Sequence, residues 1–133
     1  MRIVLDTNVL VSSILKPSSK PAEILNLVMS GKLLLHLDSR IFLEYSSVLK
    51  RKKFDFAPKK IEHLLQYLHR ISFLTTPKPL MIHIPHLSDL PFIEVAYKTD
   101  SSLITGNKKH FPLDLIKVYD CKEFLDFYFG EDV

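Results

Sequence analysis

Short apolar runs alternate along the chain with longer stretches in which apolar residues recur at helical spacing. The apolar runs are rich in Val, Ile and Leu, which is typical of strands that are buried on both faces of a sheet. They predict strands at residues 2–5, 33–37, 80–84, 103–105 and 116–119. The first of these runs ends at Asp6, and a further apolar run, residues 9–11, follows it without a clear assignment.

The amphipathic stretches predict helices, each with recognisable start or stop residues. Their predicted starts are Pro21, Asp38 or Ser39, a point near Pro58, Ser88 or Asp89, and Asp120, where Glu123 completes a capping box. Gly31 and Gly130 mark the ends of the first and last of these helices. Strands that alternate with helices predict a parallel sheet with helices on both sides. No linker divides residues 1–133, so we expect a single domain.

Composition narrows the class of protein. With 47% hydrophobic and 25% charged residues, the 133-residue chain has the make-up of a globular domain. The one cysteine, Cys121, excludes an intrachain disulfide and a zinc ribbon. The sequence contains no apolar run long enough for a membrane span and no signal-peptide layout, so we expect a soluble cytoplasmic protein with no membrane partner.

Charge is distributed unevenly although the net charge is only +3. Basic residues concentrate between positions 50 and 60, and acidic residues concentrate after position 120. A local basic surface can bind a polyanion such as nucleic acid, and a solvated helix end is the alternative interpretation. The candidate nucleic-acid contacts are Lys50, Arg51, Lys52, Lys53, Lys108 and Lys109.

Several polar residues stand where they would meet at one edge of the predicted sheet. Asp6 and Thr105 end two predicted strands, Asn107 follows shortly after, and Asp89 opens a helix. Functional sites of parallel sheets lie at the carboxyl ends of the strands. Glu44 is a further candidate, because it projects near the apolar stripe of its helix, where a carboxylate needs a partner. Two carboxylates about 4 Å apart repel by roughly 4 kcal/mol at an effective dielectric near 20, and a hard cation such as Mg²⁺ or Mn²⁺ would offset that repulsion.

Each candidate also has an ordinary structural explanation. Asp6 can satisfy backbone groups in a turn, Asp89 can cap a helix, and Glu44 can pair with a neighbouring Lys or Arg. Asn107 can fill a turn position. For Asp120 the capping box is the favoured interpretation.

The remaining side chains with chemical potential give weaker signals. None of the six histidines has a recognised metal-binding spacing, and His83 and His86 lie in a proline-broken segment. His110 is near the predicted edge and could contact a phosphate. Three glycines are too few for the glycine-rich phosphate-binding loops. Cys121 is interpreted as a packing residue.

Three segments resemble one known family. Residues 1–13 read MRIVLDTNVLVSS, residues 88–96 read SDLPFIEVA, and residues 103–112 read LITGNKKHFP. They resemble, in order and spacing, PIN-domain nucleases, and in particular the branch that supplies VapC-like toxin components of toxin–antitoxin systems. The resemblance covers nearly the whole chain. It implies a three-layer α/β/α sandwich with a central parallel sheet.

The resemblance also implies a function and a set of site residues. Mg²⁺- or Mn²⁺-dependent hydrolysis of single-stranded RNA is implied, with Asp6, Glu44 and Asp89 as metal ligands. Thr105 matches a hydroxyl position near those ligands. Asn107 stands where the family often has a fourth acid, and it brings no charge. Toxins of this branch act with a cognate antitoxin and commonly form homodimers.

Three functional hypotheses follow. The first is a metal-dependent endoribonuclease whose lysines hold the RNA backbone. The second is a PIN-like module that binds RNA or protein with weak or absent catalysis, which Asn107 favours. The third is a metal-free ribonuclease that uses His110 and lysines.

Overall fold

The strands form one parallel sheet whose order places the first strand at its centre. A computed structural model of the chain describes residues 1–112 and 114–130. The strands are β1 (Arg2–Leu5), β2 (Leu34–Leu37), β3 (Phe73–Leu74), β4 (Ser102–Ile104) and β5 (Val118–Tyr119). Their order is β3-β2-β1-β4-β5, and every pair is parallel. The chain therefore extends the sheet in both directions from β1, as doubly wound folds do.

The strand register brings polar residues into a row at the carboxyl edge of the sheet. Leu5 of β1 pairs with Ile104 of β4, which in turn pairs with Tyr119 of β5. The backbone N–H of Asp6 continues this ladder by donating to the Ile104 carbonyl at 3.0 Å, and Thr105 N–H donates to the Tyr119 carbonyl at 3.0 Å. The residues that follow these strands therefore lie side by side, as the sequence predicts.

Helices pack against the sheet to give the expected α/β/α sandwich. They are α1 (Thr7–Leu15), α2 (Lys20–Met29), α3 (Ser39–Leu49), α4 (Pro58–Ile71), α5 (Leu90–Thr99) and α6 (Cys121–Phe129). Short 3₁₀ turns cover Lys52–Phe54, Leu87–Asp89 and Lys108–His110. Asp38 caps α3 by accepting from the Ile41 N–H at 3.0 Å, and Asp120 with Glu123 forms the predicted capping box of α6. Gly130 ends α6 in the left-handed conformation that favours glycine.

The core lies between the central strands and the helices. Tyr45, Phe92 and Phe124 are its largest fully buried side chains. The Tyr45 hydroxyl donates to the carbonyl of Leu5, so its polar end is satisfied inside the core. Only β1 and β4 are almost entirely buried. The two residues of β3 are exposed, because β3 is an edge strand.

Two expectations about elements were wrong or incomplete. Residues 9–11 belong to α1, a helix that the Val-rich composition of this run had hidden. The strand expected at residues 80–84 is absent from the described chain, and β3 forms instead at Phe73–Leu74. Prolines at 77, 79 and 85 remove N–H groups that a strand would need there. The N–H of Leu80 donates to a side chain, that of Glu94, at 2.7 Å.

Within the described residues, every helix falls short of the length and hydrophobicity that a membrane crossing needs.

Candidate active site

Asp6 is buried at the junction of β1 and α1. Its side chain is 7% exposed and makes no capping bond to α1, although Asp6 is the N-cap residue. The Thr105 hydroxyl donates to Asp6 Oδ2 at 2.7 Å, and the Asn107 backbone N–H donates to Thr105 Oγ1 at 3.0 Å. Thr105, which follows β4, thus holds the Asp6 carboxylate at the end of β1. The turn at Asn107 holds the Thr105 hydroxyl.

Glu44 reaches the same edge from the second turn of α3. The Thr7 hydroxyl donates to Glu44 Oε2, which links the first residue of α1 to α3. Glu44 is half-buried, and no ion pair with a lysine or arginine of the described chain engages it. The described residues therefore do not support the alternative interpretation, in which Glu44 pairs with a neighbouring Lys or Arg.

Asp89 lies at the start of α5, where the charges of His86 and His110 act on it. It occupies the N-cap position without a side-chain capping bond, so capping does not account for its carboxylate. The rings of His86 and His110 lie with centroids 4.6 Å apart. Burial raises the pKa of Asp89, and both histidines oppose that shift through their charge.

The three carboxylates are electrostatically coupled at Asp6. Burial is the largest cause that raises the pKa of Asp6, to about 6. The negative charges of Asp89 and Glu44 raise it further, while hydrogen bonds from Thr105 and from the Thr7 backbone lower it. The site therefore concentrates negative charge in a place where water compensates it poorly.

The residue types at this edge suit a hard cation, but the described side chains do not form a ready-made cage. Carboxylate and hydroxyl oxygens are the donors that Mg²⁺ and Mn²⁺ prefer, and a cation would offset the repulsion at Asp6. In residues 1–112 and 114–130, no group of three or more His, Cys, Asp or Glu side chains stands close enough to hold a metal ion. Asn107, which follows β4, is exposed and adds no charge.

The predicted basic residues fall into two surface groups. Lys50, Arg51, Lys52 and Lys53 lie at the end of α3 and in the next 3₁₀ turn, and Lys108 and Lys109 lie just beyond β4. Lys50 Nζ approaches Glu62 at 3.9 Å, and Lys108 Nζ pairs with Glu123 at 2.9 Å. Part of the charge of each group is therefore engaged within the protein.

The structure adds a buried ion network that sequence reasoning missed. Arg40 pairs with Asp38 at 2.7 Å and with Glu94 at 2.8 Å, and both carboxylates are almost fully buried. Because Glu94 also accepts from Leu80 N–H, the network fastens the proline-rich segment to α5. Asp38 follows a strand as Asp6 does, so the same edge rule could have selected it. Nothing in the sequence spacing pairs Arg40 with Glu94.

The fold is a parallel α/β/α sandwich, and the candidate site is a group of coupled carboxylates at its carboxyl edge. Known proteins with the same sequence pattern or the same fold show which family the chain belongs to. The family model of the PIN domain matches residues 2–109, and the chain therefore belongs to the PIN domain family. PIN domains are generally nucleases. An uncharacterized protein of Methanocaldococcus jannaschii is 27% identical over 128 residues, which cover 94% of this chain and 79% of that protein.

Solved structures share the fold at low sequence identity. VapBC2 from Rickettsia felis, bound to a DNA fragment from its promoter, aligns with a TM-score of 0.62 and 18% identity, over 90% of this chain and 98% of that one. VapBC-1 from nontypeable Haemophilus influenzae aligns with a TM-score of 0.62 and 14% identity, over 92% and 99% of the two chains. A domain of a functionally unknown protein from Methanocaldococcus jannaschii gives a TM-score of 0.54 at 17% identity, over 90% of this chain and 89% of that one.

Proposed function

We propose that this protein is a Mg²⁺- or Mn²⁺-dependent endoribonuclease that hydrolyses phosphodiester bonds of single-stranded RNA, and that it acts in the cytoplasm as the toxin of a toxin–antitoxin pair. The observation that carries the proposal is the coupling of three carboxylates at the carboxyl edge of the sheet. Burial together with the charges of Asp89 and Glu44 raises the pKa of Asp6 to about 6. Membership of the PIN domain family supports the assignment to nucleases.

The proposal gives each site residue a role. Asp6, Glu44 and Asp89 would hold the cation, which when bound supplies positive charge near the scissile phosphate and makes a bound water more acidic. The hydroxyls of Thr105 and Thr7 orient the Asp6 and Glu44 carboxylates through the hydrogen bonds described above. The backbone of Thr105 is held by the sheet edge and that of Thr7 by α1. The two carboxylates are therefore already oriented before a cation binds.

Basic residues on both sides of the edge would hold the RNA backbone. The group from Lys50 to Lys53 lies at the end of α3, and Lys108 and Lys109 lie beyond β4. Contacts of this kind position a strand without reading its sequence and weaken steeply as salt is raised. The tolerance of sequence therefore follows from this surface.

Hydrolysis is tested directly with a labelled single-stranded RNA. We expect cleavage with Mg²⁺ or Mn²⁺, products with 5′-phosphate and 3′-hydroxyl ends, and loss of activity in chelator and in Asp6→Asn. Asp114→Asn, at an exposed position away from the edge, is the matched control and should cleave normally. Full activity in chelator with cyclic-phosphate ends would instead support the metal-free mechanism that uses His110.

The toxin role and the partners are tested in cells. Induced expression of the chain should arrest bacterial growth, and Asp6→Asn should relieve the arrest. Co-expression of the protein encoded by a short neighbouring gene should also relieve it and yield a stable complex, which would identify the antitoxin. Light scattering of the purified chain tests the homodimer. Normal growth during expression of soluble wild-type protein would contradict the toxin proposal.

A second candidate is a PIN-like module that binds RNA or protein and cuts weakly or not at all. Two observations favour it: Asn107 replaces an acid, and the described residues hold no ready-made group of three metal ligands. Titration with Mn²⁺ in a calorimeter separates the candidates. A nuclease should bind Mn²⁺ in a way that Asp6→Asn weakens, whereas a non-catalytic module should give little heat in either protein.

A further inference from the structure

We propose that a cavity between α1 and α3 binds the base of a nucleotide next to the scissile bond of single-stranded RNA. The inference rests on the proposed ribonuclease function and adds a substrate subsite to it. The cavity has a volume of about 360 Å³ and is called the flanking cavity below. Its walls include Thr7, Asn8, Val11, Val48, Arg51 and Phe54.

One end of the flanking cavity lies at the candidate active site. Thr7 and Asn8 directly follow Asp6, and the Thr7 hydroxyl donates to Glu44. Val11 stands one helical turn beyond Thr7, and Val48 stands one turn beyond Glu44. The cavity therefore runs along both helices away from the carboxylates. Val48, the α3 residue of the cavity wall, lies four residues beyond Glu44, a rise of about 6 Å along the helix, so a strand held at the carboxylates passes over the cavity.

The walls combine apolar surface with an aromatic ring and cations. Phe54 is half-buried and stacks on Phe56, with ring centroids 5.4 Å apart and planes 10° from parallel. Lys53 Nζ lies 5.1 Å from the Phe54 centroid, and Arg51 also lines the cavity. A base can stack on this ring by displacing the exposed Lys53 side chain, while its phosphate binds the guanidinium. The volume lies at the lower end of that of small-molecule sites, which suits a single base.

Charge favours RNA over a protein partner as the occupant. Arg51 lines the cavity and belongs to a run of four consecutive cations, from Lys50 to Lys53, and Asp55 is the only acid among residues 50–60. Among the described residues, the only ion pair in this run is the long contact of Lys50 with Glu62. An apolar peptide would use the valines and the ring but would leave these cations without counter-charges.

The test measures binding in the Asp6→Asn chain, in which cleavage does not interfere. Two fluorescein-labelled dodecamers serve as probes in anisotropy titrations: oligouridylate, and a base-free ribose-phosphate chain of equal length. Phe54→Ala is compared with Phe54→Leu, which keeps an apolar wall and guards against misfolding. Phe73→Ala on the exposed edge strand β3 is the matched control. Arg51→Ala tests the phosphate contact.

We expect Phe54→Ala to weaken oligouridylate binding about 5- to 150-fold, which is the cost of losing one base stack. Phe54→Leu should weaken oligouridylate binding less than Phe54→Ala does, and Phe73→Ala should leave the binding of both probes unchanged. The base-free chain should bind alike to all three phenylalanine variants. Arg51→Ala should weaken both probes and lower the salt slope by about one.

Three results would overturn the inference: no binding of oligouridylate by the parent chain, equal losses for both probes, or unchanged binding in both Phe54 variants. Unchanged binding in both Phe54 variants would indicate that the flanking cavity binds a protein partner instead. If the wild-type chain fails to cut RNA but binding still depends on Phe54, the flanking cavity stands and the hydrolytic function fails. The two proposals are therefore separable.

Discussion

Asp6→Asn should stabilise the metal-free protein near neutral pH. In the folded chain the pKa of Asp6 is raised from 3.8 to about 6, whereas in the unfolded chain it returns to its ordinary value. Folding therefore favours the protonated form of Asp6. The contribution of this protonation to the free energy of unfolding is fully present below about pH 4 and is lost as the pH rises through about 6. At pH 7.5 the charged carboxylate costs about 3 kcal/mol, since one pKa unit corresponds to 1.36 kcal/mol.

Asparagine has the same shape as aspartate and keeps an oxygen that can accept from Thr105, but it carries no charge. The variant should gain up to about 3 kcal/mol at pH 7.5 and almost nothing at pH 4. For a chain of 133 residues, this gain corresponds to a rise in Tm of roughly 10 °C. Urea unfolding followed by circular dichroism, in chelator and at several pH values, measures the difference.

Exposed Asp114 provides the matched control for this experiment. Asp114→Asn should change the unfolding free energy by less than about 0.5 kcal/mol and show no trend with pH. An Asp6→Asn protein that is no more stable than wild type at pH 7.5, or equally stabilised at pH 4, would refute the argument. Burial and the charges of Asp89 and Glu44 would then not destabilise the Asp6 carboxylate enough for it to need a cation.

Four further predictions follow from other contacts. Asn107→Asp should add a carboxylate at the edge of the site and tighten Mn²⁺ binding at least about tenfold by calorimetry, with Lys109→Asn as a control for the same change of one unit in net charge; unchanged affinity would place residue 107 outside the site. Arg40→Met should destabilise the fold by about 3 kcal/mol in urea, because it strands the buried carboxylates of Asp38 and Glu94, and a loss below about 1 kcal/mol would show that water compensates them. Gly130→Ala should cost about 1–2 kcal/mol in thermal unfolding, since its φ of 67° is strained for any residue with a Cβ, whereas exposed Ser30→Ala should be nearly neutral. Burial, followed by the charge of Asp120, raises the pKa of the Cys121 thiol to about 11, so iodoacetamide should modify native protein at pH 8 far more slowly than urea-unfolded protein by mass spectrometry, and equal rates would contradict this burial.

Much of the fold could be predicted because its signals are local. The Asp38 cap, the Asp120–Glu123 capping box and the Gly130 stop each act within a few residues, so the helices they begin or end were identified from the sequence. Alternating strands and helices also predicted the parallel sheet. From the sheet alone it follows that Asp6 and Thr105 meet at its carboxyl edge.

One run stayed unassigned and one assignment failed, in both cases because tertiary contacts overrode a local pattern. The Val-rich start of α1 has strand-like composition, but Val9, Leu10, Val11 and Ser13 are buried when that run is helical. Residues 80–84 are largely apolar, yet the strand beside β2 forms at Phe73–Leu74, where the N–H of Thr75 continues the ladder by donating to the Leu37 carbonyl. The composition of a segment does not tell which neighbouring strand is free to form backbone hydrogen bonds with it.

Apart from α1 and β3, the sequence by itself determined the helices and strands, the parallel sheet and the edge at which Asp6, Thr105 and Asn107 collect. Only the tertiary structure decided that the Thr7 hydroxyl turns Glu44 toward that edge, that Arg40 joins Asp38 to Glu94, and that burial raises the pKa of Asp6. The physical reason is distance along the chain. Thr7 and Glu44 are 37 residues apart and Asp6 and Thr105 are 99 apart, so only folding determines their separation and the water left between them.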